Sequence, residues 1–215
     1  MFAKRGLEIW FEKIRFEWKG FGRIKYLPFI VDYILLPLFV IVCTKTSVMY
    51  REEFYFSLHG EYFIPFMSIW WIILILQEYV EGVGSEVIRI YDKNKLPELF
   101  FYFCIYLISL IPIFVFSVKA WEVDIETIEM FLAESIFYFG VVVFMTFAFK
   151  SILAAVVSVL GYTLLSQSVF NELWEKFKLN DFRNVRGYIF VGICFIILGI
   201  CLLYTSPSPR DGATS

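Results

Sequence analysis

The side chains that could do chemistry in this chain are few and scattered. His59 is the only histidine and is expected in a loop outside the apolar segments, so the paired imidazole ligands of a zinc hydrolase cannot be assembled. Nothing around it suggests an activated nucleophile. Cys43, Cys104 and Cys194 lie inside apolar runs with no CxxC spacing, which fits packing residues rather than ligands or disulfides. Glu52 and Glu53 are adjacent carboxylates without a histidine companion in an apolar segment, so an acid/base dyad is unsupported. No phosphate-cradling glycine loop with its lysine occurs in the chain, so it offers no P-loop site for ATP. The sequence supplies no catalytic residue and no metal ligand set. An intramembrane enzyme ranks last among the readings.

Two carboxylates within apolar runs need a separate account, because a charge at a bilayer centre costs about 2.5 to 3.5 kcal/mol on insertion scales. Asp32 is expected near the inner end of the first apolar segment, and Glu134 about a third of the way into the fourth from its outer side. Each could line a pathway or hydrogen-bond between helices. The scarcity of other charge inside the segments argues against a proton relay or an ion-coupled carrier, and suits an apolar or amphipathic cargo.

The elements that must position these groups follow from composition. Sixty per cent hydrophobic and 21% aromatic residues, with a mean hydropathy of +0.72, exceed what a water-soluble domain carries and fit an all-α membrane protein. Apolar runs at 27–44, 62–79, 99–118, 128–149, 151–170 and from 188 onward give six spans, the sixth only 13 residues long if counted to Ile200. Pro37 is expected to kink the first. Residues 45–61 form a loop, 119–127 a short acidic turn, Lys150 a tight turn, and 171–187 a charged segment. The net charge of -2 offers no footprint for nucleic acid. No secretory signal is visible ahead of the first span.

Residues 1–26 read as an amphipathic helix. Leu7, Trp10, Phe11, Ile14, Trp18 and Phe21 recur at helical spacing among Lys4, Arg5, Glu8, Glu12, Lys13, Arg15 and Lys19. Such a helix would lie in the headgroup region of the bilayer, aromatics inward and cations against anionic lipid; docking on protein is the alternative. With the N-terminus in the cytoplasm, inner segments hold eleven Lys/Arg and outer segments seven, which favours that orientation and a multi-pass protein of the cell membrane.

Residues 77–98, QEYVEGVGSEVIRIYDKNKLPE, are a polar interval between two strongly apolar segments. Gly82 and Gly84 end the preceding helix, Ser85 can cap a short one, and Pro97 opens the next as a first-turn proline. The short helix, residues 86–91, carries Val87, Ile88 and Ile90 beside Glu86, Arg89 and the following Asp92, an amphipathic peg at one membrane face.

This layout resembles the type-2 ABC transporter permeases, the membrane subunits that lack an ATPase domain of their own. The likeness spans residues 1–200. It lies in the N-terminal helix, the six spans, the peg VEGVGSEVIRIYDKNKLPE between spans two and three, and the small-residue pair GVVVFMTFAFKSILAAVVSVLGYTLL. The charged NELWEKFKLNDFRNVRG departs from the apolar re-entrant helices common there. The resemblance implies two permease subunits, identical or sister, forming an export pathway above separate ABC ATPase subunits that hold ATP and magnesium. The peg would dock in a groove of the ATPase, with Glu86, Val87, Arg89, Ile90 and Asp92 as the contact set. A stand-alone membrane immunity or sensor protein is the alternative.

The stretch CLLYTSPSPRD, continued by GATS to residue 215, resembles a translated transposase sequencing adapter, which implies that the native chain is cut at Ile200. A genuine Ser/Pro-rich tail is the other reading.

Overall fold

The computed structural model describes residues 2–46, 52–83, 85, 95–167 and 185–205, and every element among them is helical. In chain order these are α1 (Phe2–Gly20), α2 (Ile24–Thr46), α3 (Glu52–Ser68), α4 (Trp70–Glu81), α5 (Lys95–Ser109), α6 (Ile111–Ala120), α7 (Ile125–Phe149), α8 (Ile152–Gln167) and α9 (Val185–Thr205). Helices α3 and α4 run on from one another, as do α5 and α6. Among the described residues, five stretches are long and apolar enough to cross a membrane: Ile24–Thr46, Tyr55–Glu81, Lys95–Ala120, Ile125–Phe149 and Val185–Thr205. The expected fifth span is a shorter helix, 16 residues over Ile152–Gln167, with residues 168–184 outside the described part.

The loop expected over 45–61 is largely helix. From Glu52 onward the chain is already α3, so His59 sits on a helix with its ring 4.2 Å from that of Phe39. Two causes act together. Glu52 and Glu53 occupy the first turn, where carboxylates complement the helix dipole. Phe56 is fully buried against Trp121 and Phe131 at centroid distances of 5.3 and 5.8 Å. Trp121 and Val123 close the α6–α7 turn over the same cluster, and this marks one end of the bundle.

The other end carries α1, the end of α4, the start of α5 and the α7–α8 turn. Here α1 packs on the rest of the protein. Trp18 packs on Trp71 at 5.1 Å and stacks on Tyr102 at 6.1 Å, Trp10 meets Phe101 at 4.9 Å, and Ile14 is buried. The face with the larger aromatic contacts is turned to protein because α4 and α5 offer aromatic partners there. Phe11 and Phe16 point away, Phe16 at 79% exposure.

Three of these stretches are irregular within their length. In α2 the backbone widens to a π-turn over Val31–Leu35, where Leu36 N–H reaches the Val31 carbonyl; Pro37, which has no N–H to give, follows directly. The expected kink is thus a bulge. Helix α3 gives way to α4 at Ile69, four residues after Pro65, and α5 gives way to α6 at Leu110, just before Pro112. Lys150 turns the chain from α7 to α8 in a left-handed conformation, φ 51° and ψ 34°, as a tight turn requires.

Candidate functional site

The peg's proposed contact residues, Glu86, Val87, Arg89, Ile90 and Asp92, lie outside the described residues. What the structure does describe are the two ends of the interval that holds them.

At its start, α4 ends at Glu81 and Gly82 leaves the helix in an extended conformation, φ -65° and ψ 152°. The carboxylate of Glu81 then crosses to the α7–α8 turn. Its Oε1 accepts the backbone N–H of Ile152 at 2.8 Å and the Ser151 hydroxyl at 3.1 Å. Ile152 opens α8, so Glu81 satisfies one of the amide hydrogens that a helix start leaves without an internal partner, and places negative charge at the positive end of the dipole. Sequence reading missed this contact because 71 residues separate the partners. Replacing Glu81 by alanine is expected to destabilise the start of α8 by about 1 kcal/mol. Faster hydrogen exchange at the first-turn amides of α8, with the other helices unchanged, checks it.

At the end of the interval, α5 begins at Lys95 with Pro97 in its first turn, as expected. Lys95 Nζ lies 2.5 Å from Glu17 Oε1 on α1 and 2.7 Å from Glu98 Oε2 one turn on, while Lys13 pairs with the other oxygen of Glu98. Lys95 and Glu98 are 5% and 2% exposed. Burial pushes the Glu17 carboxyl above its ordinary range, opposed by the hydrogen bond and charge of Lys95. Tyr102, two turns into α5, donates its hydroxyl to the Ile14 carbonyl at 3.1 Å. Four charges of alternating sign therefore fasten α1 to the start of α5.

Asp32 and Glu134 both lie inside long apolar helices. Asp32 is three residues from Leu35, the middle of Ile24–Thr46, and Glu134 three from Phe137, the middle of Ile125–Phe149. The helices extend beyond the apolar runs, which shifts their centres. Asp32 is 1% exposed, and the Tyr106 hydroxyl oxygen is 2.9 Å from its Oδ2. That contact links Asp32 on α2 to Tyr106 on α5. Glu134 is buried on α7 one turn before Tyr138, whose hydroxyl is 2.7 Å from that of Thr163 on α8. Tyr162 and Tyr188 join α8 to α9 through hydroxyls 2.8 Å apart.

The cysteines Cys43, Cys104 and Cys194 are partly buried and free. Compared with protein-family models, curated proteins and solved structures, the chain matches none.

Proposed function

We propose that this chain is the membrane-spanning subunit of an ATP-driven exporter of the ABC type, built on six spans with its N-terminus in the cytoplasm. It pairs with a second permease subunit and is driven by separate ATPase subunits that hold ATP and magnesium. The observation that carries this reading is how the interval 77–98 is held. One end is bonded through Glu81 to the start of α8, and the other through Lys95 and Glu98 to α1. A push on the peg between them reaches two different helices through short, charge-assisted bonds rather than dissipating in a slack loop. Because packed helices move as bodies, that push becomes a tilt, which is what alternating access requires. Within the peg, Val87 and Ile90 provide apolar burial against the partner while Glu86, Arg89 and Asp92 set register.

Recovery of the flanking DNA, followed by co-expression with any P-loop ATPase it encodes, tests it. The unaltered chain is expected to retain that ATPase through detergent purification and to raise its hydrolysis rate, and the double variant Arg89→Glu, Ile90→Asp to lose both while remaining monodisperse. A double variant that holds a fully active ATPase removes the contact set. An unaltered chain that retains no ATPase removes the transporter reading and favours the stand-alone one.

A further inference from the structure

The three helix irregularities converge on one acid. Asp32 lies in the π-turn of α2, Tyr106 three residues before Ser109, where α5 ends, and Ile64 directly before Pro65 in α3. The Tyr106 hydroxyl oxygen is 2.9 Å from Asp32 Oδ2 and also 2.9 Å from the Ile64 carbonyl oxygen. Beside them, the Tyr33 hydroxyl donates to the carbonyl of Ser109. Irregular backbone at membrane depth persists only where neighbouring groups satisfy it, and these side chains do so.

Counting protons decides the state of the acid. A tyrosine hydroxyl has one hydrogen to give, and a backbone carbonyl has none. Two contacts of hydrogen-bond length meet at the Tyr106 oxygen, so they need two hydrogens, and the second can come only from Asp32. The surroundings agree. Asp32 is 1% exposed, its Oδ1 has no hydrogen-bond partner, and the titratable groups beside it are the phenols of Tyr106 and Tyr33. Among the described residues no cation is paired with it. An ionised carboxylate with one hydrogen bond and no counter-charge is among the costliest things to bury, whereas a neutral acid that donates one bond is not.

We propose that Asp32 is a proton-binding site that latches the first three spans together. Its carboxyl donates to Tyr106, and the Tyr106 hydroxyl donates to the Ile64 carbonyl. The proton is taken from bulk water as the spans assemble. Its loss leaves no hydrogen for the Asp32–Tyr106 contact while Tyr106 remains bonded to the Ile64 carbonyl, so this latch holds only when the acid is neutral. The inference rests on the packing of α2, α3 and α5 and is independent of any ATPase.

Infrared spectroscopy of the purified full chain in nanodiscs tests it at neutral pH. The carbonyl stretch of a protonated acid is expected above the amide band, shifting down in heavy water, and the difference spectrum against Asp32→Asn should show it lost. Tyr106→Phe is expected to keep the band and move it up, because the acid loses its acceptor. Asparagine keeps both the shape and a donor toward Tyr106, so this variant should retain the parent's melting temperature, whereas Asp32→Ala should lower it. The proposal is overturned if the Asp32→Asn difference spectrum removes ionised-carboxylate bands instead, or if the unaltered chain has no acid band that responds to heavy water.

Discussion

Replacing Lys95 by alanine is expected to release α1 from the bundle and to cost about 3–5 kcal/mol, the range seen when one partner of a buried ion pair is removed. The size follows from what is left behind. Lys95 Nζ is within 2.7 Å of carboxylates on both Glu17 and Glu98, and Glu98 is 2% exposed. Lys13 still faces Glu98, but its own side chain is 35% exposed and is screened accordingly. Limited proteolysis within residues 20–26 and loss of Trp18 fluorescence anisotropy would report the release. Acid should reverse part of it. Burial holds Glu17 above its unfolded value, so its contribution to stability is fullest below that value and declines as pH rises through the folded one. The penalty of Lys95→Ala is therefore expected to shrink as pH is lowered toward the ordinary carboxyl range, about 4. Adding Glu17→Ala to Lys95→Ala should recover stability at neutral pH. A penalty independent of pH and of the second change would mean that lost packing, not stranded charge, is responsible.

The second large effect is expected where α7 and α9 touch. A side chain at Gly140 would place its first carbon 2.4 Å from the carbonyl oxygen of Gly192, and one at Gly192 would lie 2.9 Å from the Cα of Phe137. Seven residues on, Gly199 meets Val143 at 2.8 Å and the backbone of Phe144 at 3.1 Å in the same test. Apart from the Val143 methyl, these are backbone approaches, which no rotamer change can relieve. In a bilayer, where lipid is as apolar as leucine, such closeness is what holds helices together, through dispersion over a long smooth seam. Gly192→Leu is expected to force the helices apart and to cost about 1–3 kcal/mol or more, with broadened elution and a lower melting temperature in detergent. Gly161→Leu on α8, where nothing lies within 4 Å, is the control and should leave both unchanged. Equal behaviour of the two variants would rule out the seam.

How far the sequence carries depends on the range of the force involved. Helix existence and type were legible because a run of apolar residues needs no distant partner to declare itself. The turn at Lys150, the helix end at Gly82 and the first-turn place of Pro97 were legible too, since each is a property of one residue's backbone. The α3 extension was not. Residues 52–61 mix charge with aromatics, and the burial of Phe56 against Trp121 and Phe131, contributed from elsewhere in the chain, adds what the local pattern does not show. The bond at the start of the interval was hidden for the same reason, because Glu81 and Ile152 have no local relation. The contact residues expected over 86–92 lie outside the described part of the structure.

The sequence by itself determined that this chain is a set of apolar helices joined at one place by a polar, glycine-bearing interval, because hydropathy and backbone freedom are written residue by residue. Only the tertiary structure decided which side of α1 is turned to protein, which amide Glu81 serves, and that Asp32 meets Tyr106 and Ile64 near the middle of three broken helices. Those are choices among partners, and a partner's position is fixed only when the whole bundle has packed.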